Sequence, residues 1–124
     1  MAIDYCIFCD PSVKEKFMIL ENNLFHSRWD EYPVSDGHAL IVPNKHIISF
    51  SDLSDEEVIK MYDVILRTKK VIDSKYHPHA CNYGINDGKA AGRTVDHFHM
   101  HVIPRYEGDV ENPRGGVRNI MPGK

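Results

Sequence analysis

Residues 97–103 alternate histidine with apolar side chains, and this pattern constrains the fold more than any other part of the sequence. The run reads His97-Phe98-His99-Met100-His101-Val102-Ile103. Successive side chains of a β-strand point to opposite faces, so a strand here puts the three imidazoles on one face and the apolar side chains on the other. The alternation predicts a strand over residues 95–103 with one packed face and one polar face.

The rest of the chain predicts four more strands and one long helix. Asn22-Asn23 separates two apolar runs as a hairpin turn does, and further strands are expected over 38–43 and 81–86. Ser54-Asp-Glu-Glu57 matches a capping box and opens a run with helical periodicity over about residues 54–76, which His77-Pro78 ends. The expected fold class is α+β, with an antiparallel sheet of about five strands and one long helix.

Composition limits the domain count and the class of protein. A chain of 124 residues with 42% hydrophobic residues is enough for one domain over 1–124, with a core over about 6–105 and an extended tail over 106–124. A net charge of −3 gives no general attraction to nucleic acid or anionic membranes. The chain has no long apolar run, and its N-terminus lacks the layout of a signal peptide. We therefore expect a cytoplasmic protein without membrane or nucleic-acid partners.

The three closely spaced histidines are typical of chemistry at a phosphorus or metal centre. Imidazole titrates near neutrality, donates or accepts protons and can attack phosphorus as a nitrogen nucleophile. Three imidazoles on one face can also bind a metal, so metal-dependent hydrolysis remains open on the residues alone. A polar stripe on an amphipathic strand is the alternative without function, and three histidines in register make it the weaker one.

The motif and its surroundings resemble the histidine triad superfamily of nucleotide hydrolases and transferases. The similarity extends from Cys6 to Arg105 and includes Gly92-Arg93-Thr94-Val95 before the histidines, Gly37-His38 on an earlier strand, and Pro104-Arg105 after them. Within the superfamily, the chain looks most similar to the dinucleoside polyphosphate hydrolases, which include the fragile histidine triad proteins.

This resemblance implies cleavage at the α-phosphate of a nucleotide through a nucleotidyl-histidine intermediate, in a homodimer. It implies that His99 is the nucleophile, that His101 contacts phosphate and helps to protonate the leaving group, and that His38 hydrogen-bonds to the triad. The implied substrate-binding residues are Asp30 at the ribose, with Asn86, Arg93, Thr94 and His101 near the phosphates. A nucleotide-binding or scaffold protein with little turnover is the alternative function.

Arg93 departs from the pattern, because many family members have glutamine there. Glutamine both donates and accepts hydrogen bonds, whereas guanidinium only donates and is always charged. Arg93 is expected to contact phosphate, with pairing to an acidic residue such as Asp96 as the alternative. The preference for a leaving group is open at this point.

Cys6-x-x-Cys9 is compatible with a zinc ligand pair, a redox pair or two small buried thiols. Three cysteines, with Cys81 far from the pair, make a poor disulfide framework. The resemblance implies that the pair binds one structural zinc per chain together with His46 and His97. All four of its ligand positions are then filled by protein.

Overall fold

The computed structural model describes residues 5–123 as a five-stranded antiparallel sheet with a long helix packed on one face. Residues 1–4 and Lys124 lie outside the described chain. The expectation that the N-terminus is not a signal peptide depends in part on those first four residues. The elements in chain order are α1 (Pro11–Phe17), β1 (Met18–Glu21), β2 (Phe25–Trp29), β3 (Ala39–Pro43), α2 (Asp55–Tyr76), β4 (Ala80–Ile85) and β5 (Met100–Arg105). The predicted α+β fold class is confirmed.

The strand order is β1-β2-β3-β5-β4, with every neighbouring pair antiparallel. The β1–β2 hairpin is built at Asn22, whose side-chain oxygen accepts from the amides of Leu24 and Phe25. The next turn requires Gly37, which has φ of +86°, and a Cβ there would lie 2.8 Å from the Tyr76 ring. This turn delivers His38 to the start of β3, at the centre of the sheet.

Helix α2 begins with the predicted capping box. The Ser54 hydroxyl accepts from the Glu57 amide, and the Glu57 carboxylate accepts from the Ser54 amide. The helix ends at Tyr76, and His77 caps it in the left-handed conformation, immediately before Pro78. Its apolar face packs on the sheet to form the core; the buried residues are Met61, Val64, Ile65 and Ile72 from the helix, and Phe25, Ala39, Ile41, Phe98 and Val102 beneath it.

Two predictions about the elements are wrong. The last strand was expected to begin at Val95, but β5 begins at Met100, because the backbone turns off the sheet before it and Phe98 donates its amide to the Ile47 carbonyl. Helix α1 was not expected, although Asp10 caps it and Pro11 occupies its first turn. Among the described residues, no helix combines the length and the apolar character needed to cross a bilayer.

Candidate active site and metal centre

A cavity of about 280 Å³ lies between the N-terminal segment and the face of the sheet opposite α2. One part is apolar and aromatic, and the other carries the histidines, so the cavity is shaped for a ligand with an apolar ring and a polar group. The lining residues are Ile7, Phe8, Val13, Phe17, Arg28, Trp29, Asp30, Glu31, Tyr32, Leu40, Asn86, Gly92, Thr94, Val95, His99 and His101.

The hydrogen bonds of His99 determine which of its ring nitrogens is free. Its Nδ1 lies 2.9 Å from the carbonyl oxygen of His97, and a carbonyl can only accept. Nδ1 therefore carries the proton, and Nε2 of the neutral ring keeps its lone pair. Phe8 packs against this ring with centroids 4.7 Å apart. His99 is therefore a fixed imidazole with one unprotonated nitrogen, as a nitrogen nucleophile requires.

His38 and His101 form a hydrogen-bonded pair whose proton positions follow from a backbone amide. The amide of Val34 donates to His38 Nδ1 at 3.2 Å, so that nitrogen carries no proton in the neutral ring. His38 Nε2 then carries the proton and donates it to His101 Nδ1 at 2.9 Å, with Asp30 Oδ2 3.4 Å away. In neutral His101 the proton is left on Nε2, which makes that nitrogen a hydrogen-bond donor.

Burial keeps these imidazoles neutral. Desolvation is the largest cause of the lowered pKa values of His38 and His99, although the nearby Asp30 carboxylate opposes it at both rings. The pKa of His101 is lowered to about 4 by burial first and then by His99 and His38. At neutral pH the cavity therefore holds one ring with a free lone pair beside one ring with a free N–H.

The predicted phosphate-side residues lie in different places. Asn86 and Thr94 line the cavity beside the histidines. Arg93 lies outside that lining set; its guanidinium donates to the Ile48 carbonyl and lies 3.2 Å from the Asp96 carboxylate. This is the position that the alternative interpretation of Arg93 expected, and its contact with phosphate remains a prediction.

Cys6, Cys9, His46 and His97 place four ligand atoms within 4.8 Å of one another. The sulfur–nitrogen distances are 3.2, 3.3 and 3.5 Å, and the two Nδ1 atoms of His46 and His97 lie 3.1 Å apart. Tetrahedral zinc with ordinary bond lengths separates its ligands by about 3.5 Å for S–N pairs and about 3.3 Å for N–N pairs. The donor set and its spacing therefore fit zinc, with all four positions supplied by protein.

The remaining hydrogen bonds distinguish this cluster from a second group of metal-binding residue types. His97 Nε2 lies 3.2 Å from the Pro43 carbonyl, so the proton is on Nε2 and the Nδ1 lone pair faces the cysteines. Asp30, His38 and His101 also lie within 4.8 Å of one another. A metal on His38 Nε2 would require a proton on Nδ1, where the Val34 amide already donates. The second group is therefore a hydrogen-bonded relay.

This arrangement corrects the prediction of three histidines in a row on one strand. Of the three, only His101 belongs to β5, and the His97 ring is fully buried against the cysteines while His99 and His101 line the cavity. The three imidazoles therefore do not converge on one metal.

Sequence reasoning missed Arg28 and Phe8. The buried Arg28 guanidinium donates to the carbonyls of Ile7 and Phe8 and to His26, and it lies 5.0 Å from the Phe8 ring centre. Arg28 thus holds the loop between Cys6 and Cys9 against the cavity. A single arginine in a strand of mixed polar and apolar residues carries no pattern that would have indicated this role.

Comparison with known proteins gives one family. The model of the HIT domain matches residues 12–108. A HIT-like protein of Mycoplasma pneumoniae is 37% identical over 111 residues, which cover 86% of this chain and 76% of the relative. The crystal structure of a HIT family protein from Bacillus anthracis superposes with a TM-score of 0.77 at 29% identity, covering 87% of this chain and 78% of that one.

Other similar proteins have names that state a ligand or an activity. A histidine triad family protein from Mycobacterium smegmatis, described as Zn-bound, has a TM-score of 0.73 at 35% identity, covering 84% of this chain and 77% of that one. A Bis(5'-adenosyl)-triphosphatase of Dictyostelium discoideum is 36% identical over 80 residues, which cover 64% of this chain and 54% of the relative. The match to this named enzyme therefore spans about half of its length.

Proposed function

Since the chain belongs to the HIT domain family, we propose that it is a nucleotidyl hydrolase or transferase acting at the α-phosphate of an adenosine-type nucleotide. The observation that carries the proposal is the arrangement of free ring nitrogens, with a lone pair on His99 Nε2 beside an N–H on His101 Nε2 in one cavity. Relatives with hydrolase names support nucleotide hydrolysis as the general activity.

The proposed reaction has two steps. His99 Nε2 attacks the α-phosphorus, a P–N bond forms, and the bond from phosphorus to the leaving group breaks. Water then attacks the same phosphorus and breaks the P–N bond, which releases a nucleoside monophosphate, restores neutral His99 and passes one proton to solvent. Asp30, Asn86 and Thr94 line the cavity where they can bind the ribose and the phosphate.

His101 supplies a hydrogen bond to the leaving atom, and this favours one class of substrate. Neutral His101 has one proton to offer, and His38 has no second proton with which to replace it because Val34 donates to its other nitrogen. A polyphosphate leaves as an anion and needs only the hydrogen bond, whereas an amine needs a full proton. We therefore place dinucleoside polyphosphates before phosphoramidates as substrates.

Release of AMP from diadenosine tetraphosphate by the purified chain tests this function. The variant His99→Ala should release none, while His77→Asn, a change at an exposed histidine on the end of α2, should match the wild type. Because a P–N bond to histidine hydrolyses in acid, samples are quenched in alkaline denaturant. Mass spectrometry should then show one adenylyl group on the peptide that contains His99. Tight AMP binding without turnover in the wild type would instead favour a nucleotide-binding protein.

The Cys6, Cys9, His46 and His97 cluster is proposed as a structural zinc site with one ion per chain. A zinc ion there would join the N-terminal loop to the segment that precedes β5, and it would leave no coordination position for water or substrate. Its part in function is positional, because Phe8 lies within the same loop and packs on His99.

We further propose that two copies associate through α2 and β4, as a homodimer. Val58, Ile59, Tyr62 and Leu66 are 41–68% exposed on the helix, although their side chains are apolar. Tyr83 adds to this surface from β4, which is at the end of the strand order. Tyr62→Glu should give a monomer in analytical ultracentrifugation, whereas Ile120→Glu in the tail should not. A monomeric wild type would disprove the dimer.

A further inference from the structure

A second cavity, of about 390 Å³, lies under the C-terminal segment and has no role in the proposed reaction. Its floor is Asn82 on β4 and Ile103 on β5, its near wall is the Val34–Ser35 turn, and the segment from Asp109 to Asn119 covers it. The volume is within the range of small-molecule sites, about 300–1,000 Å³.

This second cavity continues the face of the sheet that carries the catalytic histidine pair. Ile103 follows His101 by two positions on β5, so both side chains point to the same face about 7 Å apart. The register agrees, because Asn82 pairs with Ile103 and Gly84 with His101. The Val34–Ser35 turn also contacts the hydrogen-bonded pair of His38 and His101, since the amide of Val34 donates to His38. The second cavity therefore begins beside His101, whose Nε2 is proposed to donate to the leaving group.

The charges in the second cavity are already neutralised. Arg105 donates to both carboxylate oxygens of Asp109, at 2.8 and 2.9 Å, and to the side-chain oxygen of Asn82 at 2.7 Å. No cation among the residues that line this cavity is left for a free phosphate group. The site therefore suits a ligand group that is polar but uncharged.

The remaining polar atoms are side-chain amides between apolar walls. Asn112 uses its oxygen for the Arg114 amide, and Asn119 uses its amide nitrogen for the Arg114 carbonyl. An amide donor on Asn112 and an amide oxygen on Asn119 are thus left over, next to Val34 and Ile103. One donor and one acceptor together can meet the acceptor and donor edge of adenine, a pairing that a single asparagine makes when both of its ends are free, and the aliphatic side chains suit the faces of a base.

We propose that this second cavity binds the distal nucleoside of a dinucleoside polyphosphate, the half that departs as the leaving group. The assignment rests on the proposed function, because the first cavity must hold the nucleoside whose α-phosphate reacts. The polyphosphate chain then runs past His101 along β5, and the covering tail takes part in selecting the substrate.

The test compares two ligands by isothermal titration calorimetry on the full chain. The ligands are AMP and a diadenosine tetraphosphate analogue with methylene groups in place of the bridging oxygens next to the α-phosphates. The wild type should bind the analogue at least tenfold more tightly than AMP. Val110→Trp places a larger ring in the second cavity from a half-exposed position, and Val117→Trp is the matched change on the same tail outside it.

Val110→Trp should lose the tenfold advantage of the analogue while its affinity for AMP stays unchanged, and Val117→Trp should keep both. Asn112→Ala, which introduces no bulk, should reduce the advantage in the same direction. Equal binding of AMP and the analogue by the wild type, or an unchanged advantage in Val110→Trp, would refute the second site and leave the proposed function standing. Failure to bind either ligand would instead overturn the proposed function, and this inference with it.

Discussion

His26 should make the chain less stable in acid, and the effect can be worked out from its surroundings. The ring is 1% exposed, its Nδ1 lies 2.9 Å from Asn44 Oδ1, and its Nε2 accepts from Arg28. Protonating Nε2 would break the Arg28 bond and place a cation against a cation. Burial first, and then Arg28, lower the pKa of His26 from 6.5 to about 4.

The sign of the effect follows from proton uptake. Between about pH 6.5 and pH 4 the unfolded chain binds a proton at His26 and the folded chain does not, so the free energy of unfolding falls as the pH is lowered. A pKa lowered from 6.5 to about 4 corresponds to about 3 kcal/mol of unfolding free energy, which is lost at up to about 1.4 kcal/mol per pH unit. Above pH 7 this contribution is fully present and constant.

Urea unfolding of the wild type and His26→Gln, at half-unit steps from pH 7.5 to 4.5 with fixed free zinc, measures this effect. Glutamine can also donate and accept hydrogen bonds but does not titrate. The unfolding free energy of His26→Gln should therefore fall less steeply with decreasing pH than that of the wild type. The difference in slope should correspond to the uptake of close to one proton on unfolding. His77→Asn, at an exposed position, should follow the wild type. If the His26→Gln and wild-type curves stay parallel, the assignment of the buried neutral imidazole is wrong.

Three further outcomes are expected. Asp30→Ala should weaken binding of AMP more than of 2′-deoxy-AMP, because a lost hydrogen bond to a charged group costs roughly 1.5–3 kcal/mol; equal losses in calorimetry would remove Asp30 from the ribose site. Cys6→Ser should lower bound zinc in elemental analysis together with the melting temperature, whereas His99→Ala should lower neither, and full zinc in Cys6→Ser would exclude that ligand. Gly37→Ala should lower the melting temperature, because a Cβ at φ of +86° meets the Tyr76 ring at 2.8 Å, and an unchanged melting temperature would show that the turn relaxes freely.

The alternation over residues 97–103 predicted the packing of the side chains but not the start of the strand. Phe98 and Val102 are in the core, and the histidines point away from it, as the period of two requires. A strand also needs hydrogen-bonded neighbours, and the pairing of β5 with both β3 and β4 begins only at Met100. β3 continues two residues past the partner of Met100, so the chain leaves the sheet there because of the distant contact of Phe98 with the Ile47 carbonyl, which the residues of β5 do not encode.

Helical periodicity had a related limit in α2. The apolar side chains of this periodic run lie in two adjacent rows along α2. The structure buries Met61 and Ile65 from one row, while Tyr62 and Leu66 from the other stay half-exposed. Periodicity indicates that a helix is amphipathic, but the width of the sheet decides how much of the apolar surface one domain can cover. The unused row is the surface from which the dimer is proposed.

Short sequence motifs predicted the structure correctly where the contacts that determine it lie within a few residues of one another. The capping box of Ser54 and Glu57 predicted the start of α2 to the residue, because both partners lie within one turn. The proposed metal ligands Cys6 and His97 are 91 positions apart, and only the family resemblance joined them. Arg28 had no signal at all, since its partners besides His26 are backbone carbonyls, which every residue possesses.

His97 takes part in both sites through different parts of one residue. Its ring faces the cysteines, while its main-chain oxygen holds the proton on Nδ1 of His99. Every amino acid supplies that oxygen, so a lineage can exchange the side chain at position 97, and with it the proposed zinc ion, without changing the protonation of His99, provided that the backbone keeps its path. The proposed metal binding and the proposed catalysis can therefore evolve separately at this one position.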